Sequence, residues 1–493
     1  MKRQTLITTV LLAALAVNGF GNRAEATTLP REPALPQSEP EFSMPAVKRS
    51  IPVASRAELD AAFADIQPGD EIVLSNGVVW GQIVLPDHGG GAGAWAILRG
   101  ERGFPDAGQR VRPDPELTVL RHGGGGGILR TVNVRGWYVF GLKLEPAGKL
   151  HEALAIHDST DIVIDRVWIQ AAGDMDAPYT IRRGVSMNGE NLALINSRIE
   201  GTIVSGQQSQ GVGIWNGGGP FLIENNFIES LNQNILIGGA PADHAGKVPR
   251  DGVIRRNHLY KRRAWDHHAG TIITLEWKDG FRWLVEGNLI ENTTDGGVAV
   301  LIKAPEVAQG SDFSRTSDIT FRRNRYIGNI AWGYQIVRGA SGPAVGEFER
   351  FLAEDEWFDP IADRAIQLQG APNDIVFRRV TASAAHSSFA LFDPPANTEA
   401  RILIEKYRAR AGEYGFWAAR FAEAYPDHLI RDYWMYEEPG DDAFRMAGIP
   451  ESLNHPDQMH RVQCETEIPA EVGADEQTVL AAIADVADPA TPQ

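Results

Sequence analysis

The sequence predicts an all-β fold: a single-stranded, right-handed parallel β-helix with a capping helix at its N-terminal end. Two short apolar runs separated by a turn, the second ending in Asn, recur between about residues 150 and 410. Self-similarity at a period of roughly 20–50 residues indicates a repeat architecture, and units made of short strands stack into a β-helix. The 51 glycines among 493 residues supply the turns that such a coil needs.

Residues 1–26 are predicted to be a secretory signal peptide. They begin with the basic pair Lys2 and Arg3, continue with an apolar run over 6–17 that is too short to cross a bilayer, and end in the cleavage pattern Ala24-Glu25-Ala26. We therefore expect cleavage after Ala26 and a secreted or periplasmic protein without a membrane span. A membrane anchor is the alternative.

Residues 27–50 are rich in proline and poor in apolar side chains, which predicts an extended linker. The segment Ser55-Arg-Ala-Glu58 is a capping box that opens a helix. The apolar side chains of this helix fall on one face, namely Leu59, Phe63 and Ile66. Such a face is expected for a helix that covers the first rung of a β-helix, which is predicted to span residues 51–410.

The repeat pattern stops near residue 410. Residues 411–463 are rich in aromatic side chains, and we expect a terminal cap or a strand-and-helix extension there. Residues 464–493 are acidic and rich in Ala, which predicts disorder or a short helix. The net charge of −17 argues against general nucleic-acid binding, which requires a basic face.

Stacking turns equivalent positions of successive rungs into columns of side chains about 4.8 Å apart. One column closes the second strand of each rung and is predicted to be an internal amide ladder, formed by Asn226, Asn257, Asn288 and Asn324. A gapless alignment of the two best copies places Trp215 opposite Trp277 and Asn216 opposite Lys278.

The second column follows the first strand of each rung and should line an outer face. It is predicted to contain His157, Asn188, Asn216, Gly238-Gly239, Lys278, Lys303, Arg338, Gln369 and Asp393. Three cations on consecutive rungs beside a rung without side chains favour an anionic ligand. An ordinary solvated stripe is the alternative.

Glu276 lies two residues before Lys278 and should share its face, where it could hold the lysine, help to bind a metal, or act as an acid. A simple ion pair is the alternative. The loop over 260–268 enters the same rung and offers Lys261, Arg262 and Arg263 for carboxylates or sulfates, Trp265 for sugar stacking, and His267 or His268 for proton transfer. Gln210 is a candidate for contacts with sugar hydroxyls.

The stretch from Ser55 to Val84 resembles the opening of secreted, pectate-lyase-like β-helix enzymes, and is most similar to the alginate lyase and chondroitinase B family of polysaccharide lyases. The resemblance implies β-elimination by a lysine and an arginine on neighbouring rungs, with Ca²⁺ bound in many members. Lys278 with Lys303 or Arg338 would take these roles. The family's Lys-Ser-Ser and Leu-Arg-His-Gly strings are replaced here by Lys278-Asp-Gly and Leu301-Ile-Lys-Ala.

The favoured hypothesis is a secreted enzyme that cleaves a uronate-containing polysaccharide by β-elimination, with Glu276 and His268 completing the catalytic set. One alternative is a glycoside hydrolase on the same fold, which needs a second acid near Glu276, for which Asp266, Asp279 or Asp295 are candidates. The other is a solenoid that binds glycans or decorates a surface without catalysis.

Overall fold

The computed structural model describes residues 28–114, 116–268, 272–305, 313–338, 348–393, 400–418, 420–438, 441 and 459–488. The predicted signal peptide lies outside these residues. The described chain coils into a right-handed parallel β-helix, as predicted. Every strand pairs in parallel with its equivalent in the next rung, so that three ladders run along the axis.

The first ladder carries the first strand of each rung. Its strands are β3 (Ile83–Val84), β6 (Leu129–Val132), β9 (Leu150–Asp165), β11 (Ile181–Ile195), β13 (Gln210–Ile214), β16 (Gln233–Ile237), β19 (Ile273–Trp277), β22 (Val298–Lys303), β25 (Trp332–Val337), β28 (Ile366–Gln369), β31 (Ser387–Phe392) and β33 (Gly415–Trp417).

The second ladder includes the second halves of β9 and β11. Its other strands are β1 (Arg49–Val53), β2 (Asp70–Leu74), β4 (Ala96–Gly100), β7 (Arg135–Phe140), β14 (Phe221–Glu224), β17 (Arg250–Arg255), β20 (Gly280–Glu286), β23 (Thr316–Arg322), β26 (Phe348–Glu354), β29 (Asn373–Arg378), β32 (Arg401–Arg410) and β34 (Asp427–Tyr436).

The third ladder also takes in the ends of β32 and β34. Its other strands are β5 (Thr118–His122), β8 (Leu142–Pro146), β10 (Trp168–Gln170), β12 (Arg198–Thr202), β15 (Phe227–Ser230), β18 (His258–Tyr260), β21 (Leu289–Glu291), β24 (Arg325–Ile327), β27 (Trp357–Ile361), β30 (Thr381–Ala384) and β35 (Met459–Val462).

The α-helix α1 (Arg56–Ala64) lies between β1 and β2 at the N-terminal end of the coil. The Ser55 hydroxyl accepts a hydrogen bond from the Glu58 N–H, which is the predicted cap. Leu59 and Ile66 belong to the main core, and Phe63 packs against it. The predicted amphipathic face therefore covers the first rungs.

The interior is filled by aliphatic and aromatic side chains from all three ladders. The predicted amide ladder is present: the side-chain oxygens of Asn257, Asn288 and Asn324 each accept the main-chain N–H of the preceding ladder Asn at 2.9 Å. Glu356 continues the column, since it accepts the Asn324 N–H at 3.0 Å.

The C-terminal residues extend the solenoid beyond residue 410. Strands β33, β34 and β35 continue the ladders, and the short helix α2 (Phe421–Ala424) lies between β33 and β34. The boundary predicted at 410 is therefore corrected. The coil continues through stacked aromatic rings, such as Tyr407 and Tyr433 at 4.7 Å, which do not follow the earlier aliphatic pattern.

For the acidic tail, disorder or a short helix was expected, and its described residues contain a short helix. It contains α3 (Glu476–Ala482), and buried Asp488 forms ion pairs with Arg198 at 2.9 Å and Arg110 at 3.7 Å. The Pro-rich segment was expected to be an extended linker, and the structure ties it to the coil. Residues 28–47, here called the strap, are hydrogen-bonded along the second ladder at Arg31, Ala34 and Gln37.

Candidate functional site

The outer face of the first ladder carries the candidate site. In β19, Leu275 and Trp277 point into the core, so that Glu276 and Lys278 share the outer face, as predicted. The lysine Nζ lies 3.5 Å from Glu276 Oε1.

The predicted column on this face is correct on most rungs, for example at His157 and Asn188, but it is off by one residue at Asn216, Arg338 and Asp393. Ile214 pairs with Ile237 and Ile237 with Trp277, so that Lys278 lies in register with Trp215 and not with Asn216. The second strands do match as predicted, through Phe221, Gly252 and Trp283. The turn before Phe221 is one residue longer than the turn before Trp283. An alignment without a gap at this turn therefore shifts the first strands by one residue relative to each other.

The prediction that three cations share one column is also wrong. Lys303 follows Lys278 on the next strand, but Val337, not Arg338, stands opposite Lys303. Arg338 donates a hydrogen bond to the Ala371 carbonyl at 2.9 Å. Two neighbouring lysines remain on the face.

The pair Gly238-Gly239 lies against the next rung, and Gly238 leaves no vacancy for a ligand. Both residues have positive φ, 77° and 92°. A Cβ atom on Gly238 would lie 2.6 Å from the Asp279 nitrogen, and one on Gly239 would lie 3.4 Å from Lys278 Cδ. The next rung therefore fills the space that sequence reasoning left open.

Hydrogen-bonded polar side chains connect the rungs along this face. This polar strip consists of Glu152, His157, Arg183, Ser186, Asn188, Gln210, Trp215, Gln233, Glu276 and Lys278. Its central chain of bonds runs from Arg183 Nε to Gln210 Oε1 at 2.7 Å, from Gln210 Nε2 to Gln233 Oε1 at 3.2 Å, and from Gln233 Nε2 to Glu276 Oε2 at 2.9 Å. The polar strip is therefore one connected network.

Glu152 organises the N-terminal end of the polar strip. It accepts hydrogen bonds from Ser186 Oγ at 2.7 Å and pairs with His157 Nε2 at 3.1 Å. Burial opposes ionisation of Glu152, but the bonds from His157 and Ser186 outweigh it and hold the pKa of the carboxyl below its ordinary value. Asn188 Nδ2 lies 3.4 Å from the other ring nitrogen of His157.

Arg183 is positioned by a ring as well as by the amide of Gln210. Its guanidinium carbon lies 4.6 Å from the centre of the Trp215 ring, within the range of a cation–π contact. Burial, and secondarily the neighbouring Arg182, lowers the pKa of the Arg183 guanidinium. An aromatic ring and a fork of N–H donors side by side suit a sugar that carries an anionic group.

Glu276 marks the other end of the network and is only 1% exposed. Glu152 and Glu276 lie four strand spacings apart, through β11, β13 and β16, which amounts to about 19 Å along the axis. These two carboxylates therefore serve separate places on the face.

The loop over 260–268 contributes less to the face than was predicted. Lys261 is fully buried, and its Nζ donates to the carbonyls of Ser230, Leu231 and Asn232 and to Asn234 Oδ1, at 2.7–3.1 Å. Burial holds the pKa of Lys261 well below its ordinary value. The predicted substrate contact is therefore corrected to a structural hydrogen-bond donor.

Trp265 and Arg262 are also anchored inward. Trp265 is 2% exposed and donates from its indole nitrogen to the Gly173 carbonyl, so it is not a stacking platform. Arg262 lies over the Trp265 ring and pairs with Glu229. Both side chains hold the loop against the third ladder.

The remaining loop candidates lie nearer to solvent. The side chain of His267 is 94% exposed, 3.8 Å from Asp295, and Arg263 pairs with Asp266 at 3.0 Å. The N–H of His268 donates to the Trp265 carbonyl. Within the described residues, no hydrogen bond or ion pair joins His268 to Lys278 or Glu276.

Asn216 ties two loops together beside the polar strip. Its Nδ2 donates to Asp243 Oδ2 at 2.6 Å, and Lys247 bridges Asp243 and Asp158. The long insertion over 240–249 thus borders the face, and Asn216 belongs to that border. Gln210 lies within the network but is only 2% exposed.

Sequence reasoning missed four members of the polar strip. Glu152, Arg183, Ser186 and Gln233 had not been singled out, although the position of Ser186 between the core residues Val185 and Met187 was a usable signal. A calcium site would need several oxygen ligands around one point. Among the described residues, no three His, Cys, Asp or Glu side chains come together to hold a metal ion.

No protein-family model matches the chain, and no curated relative matches its sequence. Among solved structures, it is similar to the catalytic unit of a GH87 α-1,3-glucanase from Streptomyces thermodiastaticus, with a TM-score of 0.51 at 10% identity, over 87% of this chain and 69% of that one. The likeness shows a parallel β-helix fold.

Two further similar structures are enzymes of different classes. One is an exopolygalacturonase from Thermotoga maritima, with a TM-score of 0.45 at 10% identity, over 83% of this chain and 93% of that one. The other is an alginate lyase from Paenibacillus sp., with a TM-score of 0.32 at 16% identity, over 73% and 98%. No helix in the described part of the chain is both long and apolar enough to cross a membrane.

Proposed function

We propose that the protein binds an acidic polysaccharide along the polar strip and cleaves it by β-elimination beside Lys278 and Lys303. The observation that carries the proposal is this lysine pair on neighbouring strands of an outer face, in a protein of net charge −17. Like charges on neighbouring rungs repel each other. Glu276 offsets part of this repulsion through Lys278, and an anionic group bound beside the two lysines offsets more of it.

The reaction moves one proton and two electron pairs. A base removes the proton from C5 of the uronate, and the electron pair of the C5–H bond forms the C4=C5 double bond. The electron pair of the C4–O bond leaves with the oxygen, which takes up a proton. A cation against the carboxylate stabilises the charge that develops on it. We assign that role to Lys303. Lys278 as the neutral amine takes the C5 proton and returns it to the leaving oxygen, and Glu276 lies 3.5 Å from its Nζ.

The rest of the polar strip would bind neighbouring sugars. Trp215 offers a ring for stacking and Arg183 offers N–H donors for a second carboxylate. A linear polymer lying along the axis meets both of them and the lysine pair. The proposal thus rests on the outer face and not on the likeness of fold.

Hydrolysis is the weaker candidate because it needs two carboxyls about 5–9.5 Å apart. Glu152 and Glu276 are about 19 Å apart along the axis. Asp266 is paired with Arg263, and Asp279 accepts hydrogen bonds from Ser314 Oγ and the Arg315 N–H. Both aspartates are therefore engaged by groups other than Glu276.

The test is incubation of the purified protein with alginate, pectate, chondroitin and heparin-type chains. Elimination produces an unsaturated uronate that absorbs in the ultraviolet. The expected result is growth of that absorbance with one of the polymers. New reducing ends without absorbance would indicate hydrolysis instead, and retained binding without either product would indicate a glycan-binding protein.

A further inference from the structure

The second ladder has an apolar outer face. One outward-facing position of the second ladder pairs from strand to strand without a break from β4 to β34. Its apolar residues include Val163, Leu222, Val253, Leu284, Leu352 and Leu403. These six residues form clusters separate from the main core, and each is at most 7% exposed. Thr320 is a polar member of the register, and Leu429 at its end is partly buried. An outer sheet face that is this apolar must be covered.

A ladder of alternating charge runs beside this apolar stripe. Asp251, Arg282, Asp318, Arg350, Asp374 and Arg401 occupy one register position on consecutive strands. Each arginine pairs with the aspartate of the preceding strand, at 2.6, 2.6 and 2.5 Å. The aspartates therefore recur on every second rung.

The strap binds these aspartates through its main chain. The N–H groups of Gln37, Ala34 and Arg31 donate to Asp251, Asp318 and Asp374 at 2.9, 3.0 and 3.1 Å. The donors are three residues apart in sequence, and the acceptors are two rungs apart. The strap thus advances two rungs for every three residues.

This step matches the geometry of a polyproline II helix. Such a helix has three residues per turn and rises about 3.1 Å per residue, or about 9.3 Å per turn. Two strand spacings amount to about 9.6 Å. Each donor residue follows a proline, namely Pro30, Pro33 or Pro36, and these prolines are less exposed than the residues between them.

Side chains add a second layer of complementarity. Arg31 pairs with Glu349 and Asp374, both at 2.7 Å, and Glu32 pairs with Arg378 at 2.8 Å. Phe42 packs against the apolar stripe. The strap therefore matches the face in spacing, in polarity and in charge.

We propose that the outer face of the second ladder is a binding site for a polyproline II peptide with proline at every third position, and that residues 28–42 are its resident ligand. The binding does not depend on the covalent link to β1. A free peptide of the same spacing occupies the same face. This site is independent of the proposed enzymatic function.

The test cuts the strap after the full chain has folded. A protease site is inserted between Ser43 and Met44, which are both exposed. After cleavage, we expect residues 28–42 to co-elute with the protein and a labelled synthetic 28–42 peptide to exchange into their place. A peptide of the same composition with irregular proline spacing should not compete. Loss of the segment on cleavage, or equal competition by the irregular peptide, would overturn the proposal.

A matched pair of substitutions tests the three-residue spacing. Ala34→Pro keeps the backbone in the polyproline II region but removes the N–H that Asp318 accepts. Leu35→Pro makes the same change at a residue whose N–H donates to no group in the described part of the chain. The Ala34→Pro peptide should bind about tenfold more weakly or worse, and the Leu35→Pro peptide should bind as the parent does. Equal affinities for the two would contradict the assigned register.

Discussion

Replacing Glu356 by Gln should remove a pH dependence of stability that this one buried carboxyl imposes. Glu356 is 0% exposed at the end of the amide ladder. Its Oε1 accepts the N–H and the side-chain amide of Asn324, and its Oε2 accepts the hydroxyls of Tyr326 and Tyr334 at 2.7 and 2.6 Å. Burial outweighs these bonds and raises the pKa of Glu356 from 4.5 to about 7.

The magnitude follows from linkage between protonation and folding. Below pH 4.5 both the folded and the unfolded chain carry the proton on Glu356, and ionisation of this group takes nothing from the free energy of unfolding. Between pH 4.5 and about 7 the unfolded chain releases the proton while the folded chain keeps it, so the free energy of unfolding falls. At about 1.4 kcal/mol for each pKa unit, the loss is about 3 kcal/mol.

Gln is nearly the same shape and cannot ionise, and the tyrosine hydroxyls can accept as well as donate. Denaturant unfolding followed by tryptophan fluorescence at pH 4, 6 and 8 checks this. The advantage of Glu356→Gln over the parent should grow by about 3 kcal/mol between pH 4 and pH 8. The matched control is Glu116→Gln, at a side chain that is 62% exposed. A difference between Glu356→Gln and the parent that does not change with pH would refute the reasoning.

Two other substitutions test structural roles. Asn257→Ala interrupts the amide ladder and leaves two buried donors of Asn226 without their acceptor. Denaturant unfolding should therefore show a free energy of unfolding lower by about 3 kcal/mol. A decrease below about 1 kcal/mol would contradict a continuous ladder. Lys261→Met keeps the aliphatic stem but removes the ammonium donor that Asn234 Oδ1 and three carbonyls accept. Hydrogen exchange should then speed up across residues 260–268, and unchanged exchange would argue against its anchoring role.

The inward-facing columns could be predicted from the sequence because burial constrains them. Asn226 and Asn257 repeat on successive rungs, since each must satisfy the donors of its neighbour in a site closed to water. The ends of the same ladder escaped notice because the residue type changes there, to Glu356 at one end.

The outer face was less predictable because turn lengths vary between rungs. One additional residue between Ile214 and Phe221 moved Asn216 off the face and put Trp215 there. The same kind of slip replaced Arg338 by Val337. The repeated apolar pattern does not reveal such a shift, because the core residues before and after the turn keep their positions.

The strap shows a different limit of sequence reasoning. Pro30, Pro33 and Pro36 recur at the period of a polyproline II helix, and this spacing was visible in the sequence. The partners Asp251 and Asp318 lie far away in the chain and become neighbours only when the rungs stack. A proline-rich composition without those partners is typical of a linker.

The most direct test of the proposed function compares Lys278→Ala with Lys48→Ala on the uronate polymer that gives the largest ultraviolet signal. Lys48 is exposed beside the first strand and donates to the Pro68 carbonyl, away from the polar strip. We expect Lys278→Ala to abolish formation of the unsaturated product while the fold and its unfolding midpoint are retained, and Lys48→Ala to be as active as the parent. Full activity in Lys278→Ala would contradict the proposed function.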